Sequence, residues 1–377
     1  MKKKILFVND EMVVGGVSKV LNNLLRHMDR EKYEMHLLVL HKHGEMLKDI
    51  PEDIKVIEGT SFFDVCDIPV KDCIKSGKFL KKLFFFLSLK TGLIEHRIRH
   101  ERKKMQLIDY DAEIAFKEGI CSVFTACGNT PRKVNWIHAD YKVKNYAENY
   151  VWAMKKFLKR FDAHVAVSNV AANSFKEIFE LPEVKTIHNL MQVNQIIERS
   201  NEQFERRHKE FTFVCVGRLH PQKSYDRLLN AVASLNAEGF KFHVDVLGDG
   251  PDKELLFKQK EDLNIHNVHF LGNQANPYPF IKHSDALLLT SIYEGLPTVV
   301  FEALILHTPV LTTKVAGVDE QLDFGGGMIV ENTPEGIVEG MKIFLEDNSI
   351  LTKYQEDLKC YTYDNRKILD RINDLLN

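Results

Sequence analysis

Two acids and two bases in the second half of this 377-residue chain have the types and spacing to hold a sugar joined to a diphosphate. Glu294 and Glu302 stand in SIYEGLPTVVFEALILHTP (residues 291–309), with seven residues between them and a Gly295-Leu296-Pro297 bend inside the interval. A carboxylate accepts from two adjacent hydroxyls at once, so each acid can hold one diol of a nucleotide sugar. Upstream, Arg218 and Lys223 stand five apart in GRLHPQK (217–223). A guanidinium fork and an ammonium point charge at that spacing can converge on one pair of phosphates. The competing reading of either pair is ordinary solvated surface charge.

These residues need elements to aim them. Residues 285–290 are an apolar run of strand length, and 298–306 read as a helix whose first position suits Pro297, which has no N–H to lose. Strand, loop and helix N-terminus is where open α/β sheets put ligands, and the unpaired N–H groups there favour an anion such as phosphate. The same order recurs in a strand at 211–216, the 217–223 loop and a helix at 225–235. It recurs again in a strand at 242–247, Gly248-Asp249-Gly250-Pro251 and a helix from 252, where Asp249 reads equally as a ligand-pocket residue and as a simple turn or cap residue. Further strands are predicted at 268–272, 310–313 and 328–330, with a loop at 276–279, a helix from 334 and a last helix at 365–376.

In the first half, a short uniformly apolar strand at 3–8 runs into EMVVGGVS (11–18) and a helix through 25. Gly15 and Gly16 would let backbone approach a ligand closely, although the loop is not the G-x-G-x-x-G fingerprint of nicotinamide cofactors. Strands follow at 33–40, 54–57, 111–116, 133–137, 163–167 and 184–187, with Ser168 a helix N-cap. His138, in WIHAD (136–140), falls just past a strand end, the ligand-facing edge of an α/β sheet. Asp109-Tyr110-Asp111 superficially matches a metal-holding D-x-D, but its place before a strand reads as a surface turn. The polar run 192–209 reads as the linker between domains.

Composition sets the limits. Length suggests two or three domains, and 44 % apolar with 28 % charged residues is globular. A net charge of −2 gives no general field for nucleic acid. The six cysteines include no C-x-x-C pair or zinc spacing and read as mostly buried thiols of a reducing compartment. The apolar run at 5–8 is too short for a signal peptide, and no stretch approaches the ~20 apolar residues of a membrane span. A cytoplasmic protein is expected. Residues 71–104 differ in character, with Lys71, Lys75, Lys78, Lys81, Lys82 and Lys90 interleaved with Phe79, Leu80, Leu83, Phe84 and Leu87. Such a stretch suits an anionic membrane interface, or an amphipathic helix docked on its own sheet with lysines reaching outward.

Taken together, these phrases resemble the retaining nucleotide-sugar glycosyltransferases of GT-B family 4 (glycosyl transferases group 1), most strongly over 211–330 and more loosely over 3–189. The resemblance implies an α/β GT-B fold with two Rossmann-like domains facing a central cleft. Residues 1–190 would bind acceptor, 191–364 would bind the nucleotide sugar, and a helix at 365–377 would pack back on the first domain. It assigns Arg218 and Lys223 to the donor diphosphate, Glu302 to the ribose and Glu294 to the transferred sugar. Gly295, Leu296, Pro297 and Thr298 would present backbone and helix N–H groups to the donor. Gly217, Gly248 and Gly250 would line the nucleotide pocket, Gly15 and Gly16 would lie near diphosphate and acceptor, and His138 beside the sugar. Two departures are Ser224 in place of the usual glycine and His188-Asn189 in place of Tyr-Asn.

The implied reaction moves a hexose or N-acetylhexosamine from a nucleotide sugar, with uridine expected, to a glycan or lipid-linked acceptor in cell-surface polysaccharide synthesis. No cofactor or metal is required, no nucleic acid takes part, and 71–104 would contact the inner face of the membrane. Two alternatives remain at this point: a nucleotide-sugar-binding subunit without catalysis, and a UDP-sugar epimerase on the same fold.

Overall fold

Runs of aliphatic residues without polar interruption become parallel strands covered on both faces. In the computed structural model, which describes residues 2–13, 15–66, 70–143 and 151–377, they form two such sheets. The chain divides into two compact units, residues 1–190 with 365–377, and residues 191–364.

The first unit carries β1 (Lys3–Asn9), β2 (Tyr33–Val39), β3 (Lys55–Glu58), β4 (Ala112–Ala115), β5 (Arg132–Ile137), β6 (Ala163–Ala166) and β7 (Lys185–Thr186). Their order is β3-β2-β1-β4-β5-β6-β7, all parallel. The second carries β8 (Phe211–Val216), β9 (Phe242–Leu247), β10 (Val268–Gly272), β11 (Ala286–Leu289), β12 (Val310–Thr313) and β13 (Gly327–Val330), in the order β10-β9-β8-β11-β12-β13 and again parallel. Both are Rossmann-like. Strand order reverses between β1 and β4, and between β8 and β11. At such a switch point, loops leaving the carboxyl ends diverge and open a crevice.

Each sheet has its own core. In the first, Phe63, Phe85, Phe124, Phe157 and Phe175 pack over Leu6, Val8 and Ile137. In the second, Phe213, Val244, Val246 and Leu311 meet Leu228, Val232, Met341 and Phe344. The last helix, Asn365–Leu376, belongs to the first unit. It buries Ile372, Leu375 and Leu376 and accepts hydrogen bonds at its end from Lys3 (to Leu376 O, 3.0 Å) and Arg132 (to Leu375 O, 3.0 Å). Tyr33 donates to Asn373 at 2.9 Å.

Several elements correct the sequence reading. The expected linker at 192–209 contains a helix, Val193–Ser200, which buries Ile196, and only the residues after it are irregular. The expected loop at 276–279 runs into the helix Tyr278–His283, with Tyr278 buried rather than open to a base. A helix at Asn348–Lys359 was not anticipated. Asp109–Asp111 lies in the irregular segment before β4, where Asp109 has φ +60° and Asp111 accepts from Lys4 N at 2.7 Å.

Residues 70–104 form three helices, Val70–Lys75, Phe79–Thr91 and Leu93–Lys104. One side of them enters the core through Cys73, Phe85, Leu89, Ile94 and Ile98. Ile74, Leu80, Leu83, Phe84, Leu87 and Leu93 remain exposed, Leu80 by 76 %. Lys82 points inward and donates to the carbonyls of Val65 (2.7 Å) and Cys66 (2.8 Å). The outward side is thus both basic and apolar. Among the described residues no helix is long and apolar enough to cross a membrane.

Candidate active site

The loops that leave β8 and β11 at the switch point of the second unit are joined residue by residue. Ile292 N donates to Gln222 O at 2.8 Å, Gln222 Nε2 to Tyr293 O at 2.9 Å, and Thr290 Oγ1 to Lys223 O at 2.8 Å. Asn332, just past β13, donates from Nδ2 to Ser291 O (3.2 Å) and Ile292 O (2.9 Å). Arg227 holds both Asn332 Oδ1 (2.8 Å) and Thr290 O (2.9 Å). Backbone fixed at this many points holds its side chains in place before a ligand arrives.

Lys223 and Glu294 meet in that frame at 2.6 Å, both largely buried. Glu294 also accepts from Ser291 Oγ at 2.8 Å and from Gln222 Nε2 at 3.3 Å. Instead of standing with Arg218 as a free cation pair, Lys223 is neutralised by the acid expected to hold the sugar. Arg218 is exposed one residue past Gly217. Glu302 is 2 % exposed within the helix Thr298–Ile305. The surface-charge alternative therefore fails for Glu294, Glu302 and Lys223.

Pro297 is the N-cap of that helix, one place earlier than expected, and no side chain caps the helix start at Thr298. Gln321 donates to Pro297 O at 3.0 Å and fixes the bend from behind. Gly317, at φ +86°, passes so close to Leu296 that a Cβ would lie 2.6 Å from its Cδ1. Thus Gly295, Leu296 and Pro297 rest on the loop after β12.

Gly248 and Gly250 serve the neighbouring loop. Gly248 has φ +140°, and a Cβ there would overlap the Gly217 carbonyl; one on Gly250 would overlap that of Leu219. Leu219 N donates to Asp249 O and Asp252 N to Leu219 O, each at 3.0 Å. These glycines clasp the Gly217–Leu219 backbone. Asp249 bonds its own neighbour Gly250 N (2.8 Å) and Lys253 (2.9 Å), which makes it a turn residue. Ser224 adopts the left-handed conformation at φ 52°, and its hydroxyl accepts from Arg227 Nε at 2.7 Å.

At the switch point of the first unit, Gly15 caps the helix Gly16–His27. Nothing described lies within 4 Å of a Cβ built on Gly15 or Gly16, and the Gly15 backbone is extended. The fold around them does not itself demand glycine. His138 follows β5 and lies against Phe116 (4.9 Å between ring centroids), and its Nε2 is buried without a hydrogen-bond partner. Burial lowers its pKa to about 3, so the ring is neutral at physiological pH. Its backbone N–H donates to Glu118 Oε2 at 3.1 Å, and burial raises the pKa of that carboxyl. Asp10, buried at the end of β1, pairs with Lys117.

Sequence reasoning missed Asp10, Lys117 and Glu118, although their places just after β1 and β4 are the signal that picked out His138 after β5. It also missed Gln222, Arg227 and Asn332, whose work is done by distant pairing. Elsewhere in this unit, a cavity of about 830 Å³ lined by Arg99, Lys103, Tyr110 and Thr130 opens at the amino ends of β4 and β5.

Two family models cover nearly the whole chain between them, Glycosyltransferase Family 4 over residues 14–194 and Glycosyl transferases group 1 over 196–364. An uncharacterized glycosyltransferase of Methanocaldococcus jannaschii is 30 % identical over 51 % of this chain and 50 % of its own length, so the chain spans about half of that relative. The N-acetylgalactosamine-N,N'-diacetylbacillosaminyl-diphospho-undecaprenol 4-alpha-N-acetylgalactosaminyltransferase of Campylobacter jejuni is 24 % identical over 92 % of this chain and 91 % of its own. Among solved structures, Anabaena HepE in complex with UDP superposes with a TM-score of 0.70 over 99 % of both chains at 17 % identity.

Proposed function

The chain belongs to the family 4-type glycosyltransferases of GT-B fold, and we propose that it is a retaining enzyme that moves a hexose or N-acetylhexosamine from a UDP-sugar to a glycan or lipid-linked acceptor in cell-surface polysaccharide synthesis. The observation that carries this reading is the pre-built contact of Lys223 with Glu294 on loops locked together at a switch point. In glycosyl transfer the anomeric carbon gains positive character while negative charge grows on the departing diphosphate. Arg218, Lys223 and the uncapped N–H groups at Thr298 would meet that charge where it forms, without solvent reorganisation and without a divalent cation. Glu302 would hold the ribose hydroxyls and Glu294 those of the sugar, with Gly295 and Leu296 adding backbone groups. The leaving phosphate would help deprotonate the acceptor on the same face, so no covalent nucleophile is assigned. Neutral His138 would accept from or donate to a sugar hydroxyl rather than act as a cation.

UDP bound to HepE supports uridine, and the undecaprenol-linked substrate in the Campylobacter relative's name supports a lipid-linked acceptor. The exposed apolar and basic side of residues 70–104 supports peripheral contact with an anionic bilayer, where such an acceptor would reside. A panel of nucleotide sugars screened by thermal shift, followed by transfer assays with and without EDTA, tests the reading. A UDP-sugar is expected to stabilise the protein and to yield UDP only when acceptor is added, with EDTA making no difference. Conversion of the free UDP-sugar to an epimer would favour the epimerase instead.

A further inference from the structure

Parallel strands covered on both faces are ordinarily apolar throughout, and β9 breaks that rule. Its Val244 and Val246 enter the core, while the alternate positions hold His243 and Asp245. The register pairs Asp245 with His269 of β10, so a third polar side chain joins the same face. His208, from the irregular residues before β8, lies over them, 3.8 Å from the His243 ring and 4.6 Å from the His269 ring between centroids.

These side chains are poorly satisfied by one another. Asp245 is 4 % exposed. Its Oδ1 and His208 Nε2 lie 3.4 Å apart, yet both atoms are buried without a hydrogen bond. Buried polar atoms are ordinarily paired, and an orphan of this kind calls for a missing partner. His243 Nδ1 and His269 Nε2 are 3.0 Å apart, and each of the three imidazoles offers one ring nitrogen within 4.8 Å of the others.

We propose that His208, His243 and His269, with Asp245 Oδ1, form a binding site for a divalent transition-metal ion of the zinc class. Four ligands at about 2.0–2.1 Å from a tetrahedral ion stand roughly 3.3 Å from one another, close to the 3.4 and 3.0 Å separations here, and the rings, stacked with 10–29° between planes, would turn on binding to aim their lone pairs at the ion. Imidazoles with one carboxylate suit zinc, cobalt or nickel rather than magnesium or calcium. Glu210 Oε2, 3.6 Å from His243 Nε2, is placed to orient that ring from its far side, and Arg207 lies 3.8 Å from the other Asp245 oxygen. The site sits near the amino ends of β9 and β10, whereas the loops proposed to bind donor leave the carboxyl ends. The ion would act as a staple, fastening the residues that follow the helix Val193–Ser200 onto the sheet edge, with no part in transfer.

Full-length protein stripped with EDTA and titrated with zinc sulfate tests this. One equivalent is expected to bind and raise the melting temperature, since an ion held only by the folded state stabilises it. Cobalt should give the visible absorption of a four-coordinate nitrogen and oxygen set. His208→Ala, on an irregular segment, and Asp245→Asn should each weaken binding by at least about tenfold, while His41→Ala in the other unit leaves it unchanged. Near-UV circular dichroism confirms that the variants are folded. Uptake well below one equivalent by the wild type, or equal affinity in the wild type and folded His208→Ala, overturns the site and leaves the cluster a metal-free polar tie.

Discussion

Lys223 is neutralised by Glu294 at 2.6 Å, so in the proposed reaction the incoming diphosphate replaces a carboxylate as its partner and releases that acid to the sugar hydroxyls. Arg218 has no such rival. It is exposed, and no described side chain pairs with it. Arg218→Ala is therefore expected to lower kcat by about 10²–10³-fold while leaving the melting temperature unchanged, as read by transfer assay and thermal melt. His138 gives a pH test. Its folded pKa of about 3 lies below the 6.5 of the unfolded chain, so the unfolded state takes up the proton first and stability falls as pH drops from about 6.5 towards 3. His138→Asn should flatten that limb in urea titrations across this window, by up to roughly 1.4 kcal/mol per pH unit. Glu118 acts in the opposite sense, because its raised pKa makes it a liability as pH rises above the ordinary carboxyl range. The residue types of the site were legible because glutamate, arginine and lysine at fixed spacing carry chemistry in themselves. Their pairing was not, since it depends on loops from strands 70 residues apart in sequence. At φ 52° the Ser224 side chain costs about 1 kcal/mol or more, and the bond from Arg227 offsets it.

Among the elements, β8, β9, β10 and β12 match the expected ranges residue for residue, because each carries core-facing apolar residues over a strand-length run that turn residues bound. Short helices in polar surroundings were harder to read. Val193–Ser200 has Ile196 as its main buried apolar anchor, and so reads as linker until its packing is seen. Tyr278–His283 is hidden by prolines that look like loop punctuation but sit in the first turn of a helix, where proline is tolerated. One side of the helices of residues 70–104 docks on the sheet, and the other exposes leucine and phenylalanine among lysines, the side on which the proposed membrane contact can be tested. Leu80→Asp combined with Phe84→Asp should abolish co-sedimentation with phosphatidylglycerol vesicles and leave transfer to a short water-soluble acceptor unchanged. Equal sedimentation of wild type and variant would remove the membrane contact.

For the whole molecule, two sheets with separate cores predict two calorimetric transitions. If the UDP part of the donor is held by residues 191–364, as proposed, UDP at 100 times its Kd should raise the stability of one of them by about 2.7 kcal/mol and leave the other in place. A shift of both together would mean that the units melt as one. The two-domain plan was legible from the restart of the strand–loop–helix rhythm at residue 211. Which end of the chain completes which domain came only from the resemblance, since nothing in residues 365–376 taken alone names the sheet they cover.

That last helix has a consequence for how the protein is made. Lys3, Tyr33 and Arg132 emerge early in synthesis, yet the groups they bind at Leu376, Asn373 and Leu375 are translated after the entire second sheet. Of the two units, the one that leaves the ribosome earlier is therefore finished later, and until then it waits with an uncovered flank that a chaperone, or a neighbouring nascent chain, would meet first.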